Sequence, residues 1–365
     1  MNWNFFNLIF FAFFLAISCS KNRNETIIKG NIPNLPDGTL YIFKESMLNK
    51  LDSIPTSNGK FELKYKNQSN IPEYIGIFHI DKKNVKRVFG FPTNVPKWGS
   101  SVFMTDPLIE VYGSIAEYKP TNIMPPKDVI FVYSPKLKIG EQTTAFFNSG
   151  DPIFNFDDAT PSIINIIENK VKQYPFSYYL LDKINENKNS FAPEQVDKFL
   201  KLFKGEITQS TTFKNLSAYN KKRYTEKNTS LPSLENISGE KSAILDSKYK
   251  KHLVVFWASW CGPCREEIPL LKNIYSKKDE SLEFISISID EDKNAWKKAL
   301  NEEKMDWKQF IINGKDPNYE KIQMHFRLNG AIPYTVLLDN NSKILRSTVG
   351  LSSEKDLLDF IDDKK

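Results

Sequence analysis

Two cysteines three residues apart, in the string Trp260-Cys261-Gly262-Pro263-Cys264, carry the clearest chemistry in this chain. They follow the apolar run Leu253-Val254-Val255-Phe256-Trp257, which reads as a buried strand feeding a helix that opens with both thiols. Thiols one helical turn apart can be joined as a disulfide or held as a dithiol with little backbone movement, which is what thiol–disulfide exchange requires. A zinc site needs about four ligands, and beyond its three cysteines the chain has only His79, His252 and His325, far apart in sequence. No metal and no cofactor is expected beyond the Cys261–Cys264 disulfide itself. A purely structural disulfide across so short a loop would stabilise little on the chain-entropy account.

Position assigns the two thiols different tasks. Cys261 falls at the start of the helix, where unpaired N–H groups and the helix dipole favour a thiolate, and it is predicted to be the exposed nucleophile. Cys264, one turn in and more shielded, is predicted to resolve the mixed disulfide. Gly262 and Pro263 make the intervening turn, with Pro263 tolerated in the first helical turn. Trp260 offers an apolar surface beside the thiol.

The surrounding elements follow a β/α order over residues 229–365. A short hairpin is expected near 234–241, a central strand at 253–257, a helix at 261–276 and a second buried strand at 282–289. A further helix at 292–303 carries Trp296, Ala299 and Leu300 inward. Strands at 334–338 and 343–349 form a hairpin, and Leu357, Leu358 and Ile361 mark a closing helix.

Upstream, residues 25–118 read as an all-β, sandwich-like domain. Short aromatic and β-branched runs, such as Lys60-Phe61-Glu62-Leu63-Lys64-Tyr65, are separated by turn signals at Pro36-Asp37-Gly38 and Ser57-Asn58-Gly59. Residues 119–228 are a connecting region, irregular at first and helical from Pro161, where Ile163, Ile164, Ile166, Ile167 and Val171 recur at helical spacing. The polar stretch 215–227 reads as a linker.

At 365 residues the chain is long enough for two or three domains. It is 40% hydrophobic and 26% charged, in the range of soluble globular proteins. The net charge of +6 comes from 50 basic residues scattered among 44 acidic ones. Without a basic block this describes a mixed, solvated surface, and nucleic acid is not an expected partner.

No charged residue occurs from Asn2 to Ser20, and 5–17 is almost continuously apolar. That run is short for a membrane span and fits a secretory signal. Ala16-Ile17-Ser18-Cys19 resembles a bacterial lipobox, which implies a signal peptide over 1–18, lipidation of Cys19 and a tether over 19–24 in the cell envelope. A plain cleaved signal peptide is the alternative.

The segment from Val255 to Pro269, with Ile332-Pro333 downstream, resembles a thioredoxin fold. It is most similar to the TlpA/ResA type of envelope thiol–disulfide oxidoreductase, over roughly the last 135 residues. The upstream blocks resemble a lipoprotein architecture with a β-domain of unknown function. The resemblance implies that Pro333 is a cis-proline facing the cysteines and that Ile332 offers backbone groups to an extended substrate. It implies that Glu267, three residues after Cys264, accepts the resolving proton. The implied activity is a protein-disulfide reductase on the periplasmic side of a membrane. Its clients would be disulfide-bearing envelope proteins, apocytochrome c among them, and a membrane electron donor would restore the dithiol. Alternatives are an oxidase or isomerase of the same fold, or a thiol peroxidase, although those proteins usually carry Thr where this chain has Ala258. The first 225 residues are a spacer or docking module on this reading.

Overall fold

Alternation of side chains builds the N-terminal strands. In Lys60–Lys66 the odd residues Phe61, Leu63 and Tyr65 are buried and the even ones are exposed, so the strand has one face against a core. The computed structural model describes residues 25–362, apart from 68, 70, 120–127, 134–135, 155, 157–158, 226–229 and 352. The expected signal, Cys19 and the tether lie outside the described residues. The described residues divide into two units, one running to 92 and including 100–143, the other made of 93–99 and the residues from 144 onward.

The first unit is all-β. A four-stranded sheet runs in the order Lys136–Lys138, Leu108–Tyr112, Glu25–Asn31, Lys60–Lys66. A larger sheet is centred on Gly38–Lys44, Tyr74–Asp81 and Lys86–Pro92. Both of its faces are aromatic: Phe89, Phe91 and Phe103 are fully enclosed on one, and Phe78 is enclosed on the other, against Tyr41 and Phe43. The β structure continues past the expected boundary at Tyr118. Val129–Tyr133 pairs in parallel with Lys86–Pro92, and Lys136–Lys138 pairs with Leu108–Tyr112. These strands are short and Pro-flanked, so their pairing is set by the sheets they join and not by their own pattern.

In the second unit the helices Pro161–Gln173, Tyr178–Glu186, Pro193–Leu200 and Thr211–Thr225 precede the β/α region. The stretch 215–227, expected as a linker, is in large part the helix Thr211–Thr225. It lacks a strong apolar stripe and buries Leu216, Tyr219 and Asn220. Polar contacts hold it instead: Asn220 Nδ2 donates to Asp197 (2.7 Å), and Arg223 donates to the carbonyls of Lys188 and Phe191.

The β/α region comprises β1 (Leu234–Asn236), β2 (Lys241–Ser242), β3 (Lys251–Trp257), α1 (Gly262–Lys277), β4 (Leu282–Ser288), α2 (Lys293–Glu303), β5 (Lys308–Ile311), α3 (Tyr319–Phe326), β6 (Tyr334–Asp339), β7 (Ile344–Val349) and α4 (Glu354–Asp362). Helix α3 was not expected from the sequence. The seven strands form one sheet in the order β2-β1-β5-β4-β3-β6-β7. β3 is parallel to β4 and antiparallel to β6, so it is buried on both faces and reads as a continuous apolar run. Leu253, Val255 and Trp257 pack with α1 and α2, while Val254 and Phe256 pack with α3 on the other face.

At the N-terminal ends of β3 and β4 the sheet buries a charge cluster. His252 Nδ1 lies 2.6 Å from Glu283 Oε2, Lys308 Nζ lies 2.7 Å from Glu283 Oε1, and the Asp246 amide donates to the same carboxylate. Burial pushes the Glu283 carboxyl up, but the hydrogen bonds from His252, Lys308 and Asp246 outweigh it and hold the pKa below the ordinary value. A lowered carboxyl contributes stability that is present above the ordinary carboxylate pKa and lost as pH falls through its folded value. Glu283→Gln should therefore lower the unfolding free energy at pH 7 by about 2 kcal/mol. Denaturant titrations should show the gap to wild type closing below pH ~4.

Candidate active site

The C-terminal end of β3 delivers the chain to the redox pair through Ala258-Ser259-Trp260. A carboxylate from the neighbouring strand end fixes that turn. Asp290 is 2% exposed and accepts the Ser259 N–H (2.8 Å), the Ser259 hydroxyl (2.7 Å) and the Ser288 hydroxyl (2.7 Å). The Cys261 N–H then closes the turn onto the Ala258 carbonyl at 3.1 Å. Asp290 was missed in the sequence; its only signal there is an acidic residue directly after a buried strand.

Cys261 is the N-cap of α1. Its Sγ accepts the Cys264 N–H at 3.2 Å, one of the amides a helix start leaves unpaired. Cys261 and Cys264 are joined, with Sγ–Sγ at 1.99 Å. Gly262 and Pro263 occupy the first turn and are exposed, and Pro263 needs no hydrogen-bond donor there. Trp260 is 68% exposed, an unusual position for an indole. Cys261, expected to be exposed, is 5% exposed in this oxidised form. Its sulfur is turned onto the helix N-terminus and lies 3.8 Å from the Ile332 carbonyl oxygen, which leaves little of it to solvent.

The Ile332–Pro333 peptide bond is cis. Pro333 is buried and Ile332 half-buried, and the Pro333 carbonyl is tied to the Gly350 N–H at 2.9 Å. The loop thus presents the Ile332 backbone to the cysteines. Arg265 braces the other side of the helix start, with Nε 2.7 Å from Glu303 and Nη2 2.7 Å from Glu302 at the end of α2.

Glu267 lies on the buried face of α1, one turn after Cys264. It is 5% exposed, and neither carboxylate oxygen makes a well-formed hydrogen bond within the protein. Burial raises its pKa to about 7; the Leu351 backbone amide acts in the opposite direction and does not cancel it. A carboxyl that is half ionised near neutrality can take up or release a proton beside a thiol. The structure therefore brings Trp260, Cys261, Gly262, Pro263, Cys264, Glu267, Ile332 and Pro333 to one end of the sheet. Among the described residues no group of three or more His, Cys, Asp or Glu side chains is arranged to hold a metal ion.

Residues 249–344 match the thioredoxin-like family, and residues 26–115 match a domain of unknown function (DUF4369). The thioredoxin-like protein YneN of Bacillus subtilis is 40% identical over 57 residues, 16% of this chain and 34% of that protein; the chain thus spans about a third of its length. The thiol–disulfide oxidoreductase ResA of Bacillus thuringiensis is 27% identical over 127 residues, 34% of this chain and 70% of ResA. Among solved structures, the C-terminal domain of a putative thiol–disulfide oxidoreductase from Bacteroides thetaiotaomicron is 29% identical, with a TM-score of 0.31, covering 36% of this chain and 92% of that one. StoA from Bacillus subtilis is 19% identical, with a TM-score of 0.29, covering 34% of this chain and 91% of that one. With a cysteine pair capping the helix that follows its central strand, the C-terminal region of this chain matches the thioredoxin-like family and is similar to the thiol–disulfide oxidoreductase ResA.

Proposed function

We propose that this protein is an envelope protein-disulfide reductase that works through Cys261 and Cys264. The observation that carries the proposal is the joined pair at the start of α1 with the buried, poorly hydrogen-bonded Glu267 carboxyl one turn behind it. In the reduced protein, the helix N-terminus stabilises Cys261 as a thiolate. It attacks one sulfur of a client disulfide. The client S–S bond breaks, its second sulfur leaves as a thiolate, and a mixed disulfide forms on Cys261. Cys264 then gives its proton to ionised Glu267 and attacks Cys261 Sγ. The Cys261–Cys264 bond forms and the first client sulfur is released. Two electrons have passed to the client, and solvent protons complete its two thiols. A membrane dithiol donor returns two electrons to Cys261–Cys264 by the reverse exchange.

Client binding falls to the rim. An extended segment adds backbone hydrogen bonds to Ile332, next to Pro333, while the exposed indole of Trp260 and the open turn at Gly262 and Pro263 cover its apolar side chains. The uncharged N-terminal segment and Cys19 support a lipid-anchored location on the periplasmic side of a membrane. Among the described residues no helix is long and apolar enough to cross a membrane. Disulfide-bearing envelope proteins are the clients, with apocytochrome c as one candidate.

Equilibration in dithiothreitol or glutathione buffers tests the direction of transfer. A reductase should give a potential near thioredoxin's value of about −270 mV, whereas one near −120 mV would make the protein a disulfide donor. Cys264→Ser should trap the mixed disulfide on Cys261, visible by mass spectrometry as a client-bound species that dithiothreitol releases; absence of the adduct would remove Cys261 as the attacking thiol. Glu267→Gln should slow turnover roughly 10²-fold and abolish the pH–rate inflection near 7. The same variant tests the linkage. Because the folded carboxyl titrates above its ordinary value, its contribution to stability is complete below pH ~4.5 and is lost as pH rises through about 7. Wild type should lose stability over that window relative to Glu267→Gln, measured by denaturant unfolding of the oxidised forms.

A further inference from the structure

The loop that ends in Ile332-Pro333 starts from the C-terminus of α3, and its first residues are held from outside the thioredoxin-like domain. Asn189 lies in the single turn Lys188–Ser190, between two helices of the preceding helical region, and is 2% exposed. Its backbone N–H donates to Asn329 Oδ1 at 2.9 Å, and its Nδ2 donates to the Leu328 carbonyl at 2.8 Å. Asn329 answers by donating from Nδ2 to the Ser190 hydroxyl at 2.7 Å. The buried Tyr219 hydroxyl, from the helix Thr211–Thr225, donates to Asn189 Oδ1 at 2.9 Å and so fixes which way the amide faces.

Directly after Asn329, Gly330 adopts φ +93° with open space where a side chain would stand, and Ala331 is exposed. The loop is thus free in its middle and held at its ends, by Asn189 at one and by the Pro333–Gly350 hydrogen bond at the other. Resting on the assignment of Ile332 as the client-binding strand, we infer that Asn189 is a positioning residue for client recognition: through Leu328 and Asn329 the helical region sets where the Ile332 backbone stands against the cysteines. The helical region is then a part of the client-binding wall and not a spacer. Two backbone hydrogen bonds from Ile332 to an extended segment need that alignment; a small disulfide that makes no strand pairing does not.

The test uses the full chain, with insulin as the protein disulfide and hydroxyethyl disulfide as the small one. Asn189→Ala removes the donor to Leu328, and Asn189→Asp, equal in size, turns an oxygen toward that carbonyl. In both, KM for insulin should rise about tenfold with kcat little changed, lowering the ratio of insulin to hydroxyethyl disulfide efficiency by the same factor. The Cys261–Cys264 potential should stay at the wild-type value, which general damage to the domain would move. Tyr219→Phe frees only the amide orientation, should give a smaller rise of about threefold, and serves if the Asn189 variants fold poorly. An unaltered efficiency ratio in folded variants, or an equal loss on both disulfides, overturns the inference. Failure of the wild-type chain to reduce either disulfide would instead overturn the reductase assignment on which it rests.

Discussion

The start of helix α1 is the constraint on which the site depends. A helix leaves its first amides unpaired, and here a sulfur accepts one of them: the Cys264 N–H points at Cys261 Sγ. The arrangement works only if Cys261 stands at the N-cap with non-helical dihedrals, and three surroundings enforce this. A strand buried on both faces fixes where the chain arrives, Asp290 fixes the turn by holding Ser259, and Arg265 fixes the far side against the end of α2. The amide that caps the sulfur also favours its negative charge, so the geometry that ends the strand and begins the helix lowers the cost of the thiolate.

Two buried glutamates in one domain show opposite electrostatic solutions. Glu283, at the end of the sheet away from the cysteines, is surrounded by His252, Lys308 and the Asp246 amide, and its charge is stabilised. Glu267, at the redox end, makes no well-formed hydrogen bond through either oxygen, and burial raises its pKa to about 7. A fully paired carboxylate serves the fold, because removing any partner leaves a buried charge uncompensated. A poorly hydrogen-bonded one is costly to the fold and poised to exchange a proton. Its place one turn behind Cys264 matches the step in which that thiol must ionise.

The helical region joins the thioredoxin-like domain by polar means. Asn189, Asn329, Ser190 and Tyr219 are linked by buried and part-buried hydrogen bonds. Lys222 adds an ion pair to Glu320 of α3. Buried amides specify register more sharply than apolar contacts do, since a shift of one residue leaves donors and carbonyls unpaired. That precision suits a contact that ends four residues from the cis-proline.

The redox pair, its strand and its helix were legible in the sequence because each is a local pattern: an apolar run, a two-cysteine turn with Pro263 in the first helical turn, and an amphipathic stretch after it. The all-β character of the first unit was legible in the same way, from alternation such as Phe61, Leu63 and Tyr65. What the sequence could not hold is any partnership set by distance along the chain. The Asn189–Asn329 clamp joins residues 140 apart, and Asp290 meets Ser259 across 31; neither leaves a periodic trace. The helix Thr211–Thr225 escaped because its residues are held by hydrogen bonds to neighbours instead of by an apolar stripe. The strands after Tyr118 escaped because strands of three and five residues gain their structure from the sheets they join. Burial of Cys261 was likewise a tertiary outcome. The sequence determined that two thiols sit at a helix start; the fold decided how the turn before them is held, which carbonyl faces the sulfur, and how far a neighbouring carboxyl is removed from water.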